Sequence, residues 1–392
     1  MTENVTVMTM ATTIEQALQP LLLTASVVGL GVYSPKKFYL SILYNLTIWI
    51  AYWFLYYYAV VMLKTEKWFL TLSTIVNLQI TALTTVTFII MNLYQHKRFR
   101  IFFKRLAAID DTLKELGTQN VYGKLHTCSN WTLIGWCICR FIADTIDTTW
   151  WLRVTNDNQI VVLPYIVNHH EHVNMLMDLI FMTLIWYIGT RFDEIYEHMK
   201  YLLVKQEHKV KRTWRRTVTT RQYIMYPDNY KRVLWTVMHL HLELCQIARE
   251  LNSMFGIQMT IEVTAYLIYL TRLCHFLILY RHYFDLSMIT EWLDIFIWAF
   301  IYVIRLFCLN YVCESVCAKA NKIDQIIHQL ADIPRYADLR SEIYQFVLQV
   351  MHHPLKFTGL GLFYFGNGFL WKFFVTIITF AILMIQMSTT YI

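Results

Sequence analysis

The chain has 392 residues, 57% of them hydrophobic and 16% charged, a balance too apolar for a soluble domain of this length. Lipid offers no hydrogen bonds to the backbone, so spanning segments are helices or a closed barrel, and charge-free runs far longer than a barrel strand leave helices. The formal charge of +7 does not mark a nucleic-acid binder, because the basic residues lie between the apolar runs.

In chain order, Met1 to Thr13 is polar, and the apolar stretch from Leu21 to Tyr33 lacks a basic leader and runs into Pro35, Lys36 and Lys37. No cleavable leader is expected. Seven apolar segments then approach the roughly 20 residues a span requires. They are 38–63, 68–94, 130–151, 164–190, 255–280, 292–312 and 357–388, the fourth opening near Pro164. The connections alternate in charge. Those on the side of the N-terminus carry 26 Lys and Arg, against four (Lys64, Lys67, Arg153 and Arg281) on the other side. Positive residues stay inside, which predicts a cytoplasmic N-terminus and an extracellular C-terminus. All eight cysteines fall in spans or inner connections, so no disulfide is expected.

The inner connections read as helix. From His239 to Gly256 no proline intervenes, and Leu240, Leu244, Ile247 and Leu251 share one face. A helix from Tyr230 to Tyr280 would be about 75 Å long at roughly 1.5 Å per residue. The sixth span continues through Lys319, Lys322 and Ile326 to Pro334, and Leu339 to His352 forms a further amphipathic helix stopped by Pro354. Residues 193–254 and 313–356 are thus expected to form a cytoplasmic helical bundle. The fold class is all-α, a single polytopic domain.

The seventh span carries its polar groups on one stripe. Lys372, Thr376, Thr379, Leu383, Gln386 and Thr390 lie within about 80° of one another at roughly 100° per residue. Such a stripe faces water or protein. It reads either as a pore lining or as a helix contact in which hydroxyls bond neighbouring helices. Lys372 snorkels to the inner interface.

Toward the outer ends, Asp147, Trp150 and Trp151 from the third span meet Tyr269, Arg272 and His275 from the fifth. Asp294, Trp298 and Tyr302 come from the sixth. These suit a small polar or aromatic ligand, although interfacial belts have the same composition. Arg140 and Asp144 are spaced for a local ion pair. Asp178, Glu262 and Arg305 are intramembrane candidates for function or for interhelical bonds. The run His169, His170, Glu171 and His172 has the residue types of a metal site but is expected in an outer loop, and the other histidine pairs lie inside. No nucleotide motif or nucleophile with an evident base is present, so neither an enzyme nor a cofactor is expected. The sequons at Asn4, Asn45 and Asn130 fall inside or within a span.

The stretch Thr379-Phe380-Ala381-Ile382-Leu383-Met384-Ile385-Gln386-Met387 resembles the insect gustatory receptor signature of Thr-Tyr, five hydrophobic residues and Gln-Phe, with Phe380 and Met387 departing from it. Phe357 to Phe363, Leu306 to Leu330 (with Leu309, Asn310 and Glu314) and Ala248 to Gly256 are similar to segments of the same family. The resemblance implies a tetrameric ligand-gated cation channel in the plasma membrane of a chemosensory neuron. The last helix would line its pore, with Thr376, Thr379 and Leu383 facing it and Gln386 and Met387 at the gate. A small-molecule tastant would bind in the outer half, at Asp147, Trp150, Trp151, Tyr269, Arg272, His275, Trp298 and Tyr302. The inner bundle would join like or related subunits, and the remaining partner is membrane lipid. Ala381 stands where the sugar-receptor branch has an acidic residue, which disfavours sugars. A G-protein-coupled receptor requires the opposite N-terminal orientation. A secondary transporter would show related halves or broken helices, which are not found here.

Overall fold

The computed structural model describes residues 13–30, 38–63, 72–119, 121–155, 161–210, 230–280 and 289–390. The expected start of the second span at 68–71, the basic residues Lys36, Lys37, Lys64, Lys67 and Arg281, the stretch 211–229 and the sequon at Asn4 lie outside them. So do the side chains of Asp294 and Thr390.

Helices account for nearly all of the described chain. The first, α1 (Ile14–Ala25), starts at Thr13, whose hydroxyl accepts the Gln16 N–H at 3.3 Å and so caps the end. A π-helical turn, Ser26–Leu30, follows. Its Gly29 carbonyl accepts the Trp49 indole N–H at 2.8 Å, fastening the segment to α2 (Phe38–Leu63). The Leu21 to Leu30 stretch is therefore a short element lying against α4 and α2.

Next come α3 (Leu72–Glu115), α4 (Tyr122–Thr155), α5 (Leu163–Val167) and α6 (His169–Val210). At 44 residues, α3 is about 66 Å long, roughly twice a bilayer's hydrocarbon core. It stops at Gly117, whose φ of 93° is left-handed, and there the Thr118 N–H reaches back to the Leu113 carbonyl at 3.0 Å. Between α5 and α6, Asn168 is a brief break, bridged by Asn168 N–H to Pro164 O at 2.8 Å and His172 N–H to Asn168 O at 3.1 Å.

The longest helix, α7 (Tyr230–Tyr280), has the extent the heptad-like pattern predicts. It is followed by α8 (Ile289–Asn321), α9 (Ile323–Ala331), a 3₁₀ turn at Pro334–Leu339 and α10 (Arg340–His352). A minimal hairpin, β1 (Thr358–Gly359) with β2 (Phe363–Tyr364), leads into α11 (Asn367–Thr390). Helix thus occupies most of every expected span. Among the described residues, His169–Leu203, Tyr230–His275, Ile295–Ala331 and Asn367–Met387 are each long and apolar enough to cross a membrane.

The core is continuous and centred on α6 and α7. Phe181 of α6 and Phe99 of α3 both meet Phe255 of α7, with ring centroids at 4.8 and 5.8 Å. At the end rich in basic residues, Leu240, Leu244, Ile247 and Leu251 of α7 are all buried, as the pattern predicts. They share a cluster with Ile323, Ile327 and Leu330 of α9 and Ile343, Phe346 and Val347 of α10. These helices form a bundle because each has one apolar face and no other place to bury it.

Candidate functional site

Asp147 of α4, Trp298 and Tyr302 of α8, and Tyr269 of α7 form one chain of contacts. Trp298 donates its indole N–H to Asp147 Oδ1 at 2.9 Å, and the Asn168 amide donates to the other carboxylate oxygen. Tyr302 stacks obliquely on Tyr269 at 4.6 Å and on Tyr266 at 5.1 Å, and Trp298 lies 6.1 Å from Tyr302. The result is an aromatic wall across α7 and α8 with the buried Asp147 carboxylate at one edge and the buried Asp178 carboxylate, which accepts the Tyr266 hydroxyl at 3.3 Å, at the other. Trp150 and Trp151 belong to a different cluster of the core. They meet each other edge-on at 5.4 Å and join Leu163, Ile166 and Val167 in a separate small cluster. Arg272 and His275 are half-buried on α7.

The histidine run is a correction to the loop expectation. His169 to His172 form the first turn of α6, because Asn168 lets the chain enter the helix directly from α5. Their imidazoles diverge: His170 Nδ1 meets the Tyr52 hydroxyl at 3.3 Å, whereas His172 Nε2 meets Asp144 Oδ1 at 2.8 Å. Asp144 also pairs with Arg140 at 3.6 Å, the local ion pair read from the spacing. Deeper in the bundle, Arg305 of α8 binds Asp178 of α6 at 2.7 Å and Glu171 at 3.4 Å, with its guanidinium over the Tyr266 ring. The Asp178–Arg305 pair is an interhelical bond. Glu262 accepts from Gln258 of its own helix at 3.0 Å.

The last helix has three faces. Phe373, Ile377 and Ala381 are buried, and α11 lies against α7 and α8. Trp371, Val375, Ile378 and Ile382 are apolar and exposed. The third face carries Thr376, half-buried, with Thr379, Leu383, Gln386 and Met387 exposed. The threonine hydroxyls donate to their own helix, Thr376 to Lys372 O at 2.7 Å and Thr379 to Val375 O at 2.9 Å.

Three side chains hold the segment that feeds this helix. The Asn252 amide both accepts the Thr358 N–H at 3.1 Å and donates to the Thr358 hydroxyl at 3.3 Å. Asn310 accepts the Gly366 N–H at 2.9 Å while anchored to Leu306 O at 2.8 Å, and Glu314 accepts the Asn367 amide at 3.2 Å. The hairpin is therefore tied to α7 through Asn252 and to α8 through Asn310 and Glu314.

A profile of the 7tm Chemosensory receptor family matches residues 18–391, nearly the whole chain. The chain belongs to this family. No curated protein gives a significant match to the receptor's sequence. Among solved structures, the receptor's fold is similar to the insect olfactory receptor OR5 from Machilis hrabei in complex with eugenol, at TM-score 0.65 and 12% identity, over 95% of this chain and 98% of that one. A second structure of OR5 from Machilis hrabei gives TM-score 0.59 and 13% identity, with the same coverage of both chains. The receptor is thus a helical, multi-pass chemosensory receptor of this family.

Sequence reasoning passed over several of the receptor's polar contacts. Asn252, Asn310 and Glu314 stand in segments that resemble the family, yet nothing local marked them as ties for Thr358, Gly366 and Asn367. At the basic end, Asp110 of α3 binds Arg191 of α6 at 2.8 Å and accepts the Tyr122 and Tyr187 hydroxyls at 2.9 and 2.6 Å. Burial pushes the Asp110 carboxyl up, against the opposing pull of Arg191 and the two hydroxyls. His241 of α7 lies within 2.9 Å of Ala320 O through Nε2, and burial lowers it to about 4, so it is neutral near pH 7. The only advance signal for these groups was a polar residue at an otherwise apolar helical position.

Proposed function

We propose that the receptor is a gustatory receptor, a ligand-gated non-selective cation channel opened by a small tastant and assembled as a tetramer of like or related subunits in the plasma membrane of a chemosensory neuron. The observation that carries this reading is the polar stripe of α11. Thr376, Thr379, Leu383 and Gln386 lie on a face turned from the one α11 buries against α7 and α8, as a helix lining a central axis requires. The signature from Thr379 to Met387 favours a taste receptor over an olfactory one. In this reading the N-terminus is cytoplasmic, the C-terminus is extracellular, and Gln386 with Met387 forms the gate.

The tastant site is proposed at the aromatic wall of Tyr269, Trp298 and Tyr302 with Asp147, in the outer half. Trp150, Trp151, Arg272 and His275 border it. OR5 from Machilis hrabei, which shares the fold, is described in complex with eugenol, a small aromatic molecule, and an aromatic wall edged by carboxylates suits that chemistry. Ligand contacts that are stronger in the open arrangement would pull the pore helices apart. The reading is tested by expressing the receptor alone, screening bitter alkaloids, amino acids and sugars by calcium imaging, and recording whole-cell currents from Gln386→Ala. Altered gating or permeation is expected; currents identical to wild type would make the stripe a helix contact. An epitope placed after Ile392 should be reached by antibody on intact cells, and staining only after permeabilisation would overturn the proposed orientation.

A further inference from the structure

The bundle at the basic end carries a half-open cavity of about 430 Å³ between α7, the end of α8, α10 and the approach to β1. That volume falls within the roughly 300 to 1,000 Å³ of small-molecule sites, far above the space one ion needs. Its polar lining is one-sided. Arg249, His241 and His353 are joined by the amides of Gln246, Asn321 and Gln349, and among the described residues no carboxylate lines the space. The nearby acids of α7 are engaged elsewhere: Glu243 and Glu250 both bind Arg105 of α3, at 2.7 and 2.8 Å. Arg249 donates one N–H to the His353 carbonyl at 2.5 Å, so its charge is fixed at the mouth of the cavity. The cysteine in the wall adds no negative charge, since burial pushes the Cys245 thiol up to about 12 and Arg249 offsets this only in part. What remains around the Arg249 guanidinium are the donor groups of the Gln246, Asn321 and Gln349 amides and the His353 ring, while His241 spends its Nε2 hydrogen on the Ala320 carbonyl; a guanidinium with amide donors beside it is suited to phosphate.

We propose that this cavity binds a phosphorylated polyol headgroup, carried by a lipid or free in solution. On the orientation proposed above, the cavity opens near the inner leaflet, because Arg249 stands about 9 Å along α7 from Phe255, where the fifth span begins. Anionic headgroups are concentrated there. The occupant would touch α7 and the His353 to Leu355 segment together, and so would fasten the chain just before it enters the hairpin and α11. Binding itself depends on neither channel activity nor orientation, and the test reads binding alone.

The full-length receptor in phosphatidylcholine nanodiscs is titrated with inositol trisphosphate, and parallel discs contain phosphatidylinositol bisphosphate. The thermal midpoint is measured in each, since a ligand that binds the folded state raises it. A rise with the soluble compound or with the lipid supports the site and identifies the source. The Arg249→Gln variant should bind about tenfold more weakly, a loss on the scale of one charged contact. Gln246→Glu places a carboxylate in the cavity from an exposed position, so it should fold normally and weaken binding at least as much. Arg232→Gln, exposed and outside the lining, should bind like wild type. The proposal is overturned if neither probe raises the midpoint or if inorganic phosphate raises it equally. Wild-type binding by Gln246→Glu, or a loss in Arg232→Gln equal to that of Arg249→Gln, would also overturn it.

Discussion

Arg305 carries its charge at 5% exposure, and it is tolerable there only because Asp178 and Glu171 surround it and the Tyr266 ring covers it. Replacing it with leucine should cost about 3–5 kcal/mol, because Asp178, Glu171 and the neighbouring Glu262 then lie near one another without a cation. Pairing Arg305→Leu with Asp178→Leu should recover part of that loss. Thermal unfolding of the purified receptor checks both, and additive losses would show that the contact contributes no coupling. His241 sets a pH limit of a different kind. Its folded value of about 4 lies below the ordinary 6.5, so its contribution is complete above about pH 6.5 and is lost as pH falls toward 4. Going from pH 7 to pH 5 should therefore cost about 2 kcal/mol through this group. His241→Gln, which keeps a donor for the Ala320 carbonyl, should flatten that dependence in melts at the two pH values.

The element that concentrates sequence constraint is the hairpin before α11. A Cβ on Gly359 would stand 2.3 Å from a Phe363 ring carbon and 2.8 Å from the Thr260 hydroxyl, and the Phe363 ring is itself stacked on Phe369 at 4.5 Å. Gly359→Ala should therefore push the hairpin off α7 and lower the melting temperature. Asn252→Ala removes both bonds to Thr358 and leaves that N–H without its acceptor, for a loss of about 1–3 kcal/mol. Asn252→Asp, which keeps the acceptor, should lose less. If the hairpin transmits ligand binding to the pore, both alanine variants should also shift the concentration that half-activates the current; an unchanged value with a lowered melting temperature would make the ties purely structural.

For the whole molecule, the feature that demands a partner is the pair of exposed faces of α11, with Trp371 and Ile378 open on one and Leu383 and Met387 on the other. Apolar faces can meet lipid, but Thr379 and Gln386 gain more from water or from another subunit. Thr379→Cys, in the proposed tetramer, should form a crosslinked dimer in membranes under mild oxidation. Ile378→Cys, on the apolar face, should not. Equal crosslinking at both positions would place the axis elsewhere.

The sequence by itself determined that the chain is helical and how far α7 and α10 run. Charge-free runs and a 3.6-residue periodicity are local properties, and they gave α7 its extent and Leu240, Leu244, Ile247 and Leu251 their shared buried face. The 7tm family, too, was legible, because its C-terminal signature lies on one continuous segment. Tertiary structure alone decided which polar residues meet. Trp150 and Trp151 look equivalent to Trp298 in composition, yet they pack in a cluster with Leu163 while Trp298 bonds Asp147, and His169 to His172 became a helix turn because Asn168 joins α5 to α6. Asn252 is 106 residues from Thr358 and Asn310 is 56 from Gly366. Hydrogen bonds act over about 3 Å, and that proximity is set only when the long helices lie side by side, burying their apolar faces and bringing distant residues to the same height.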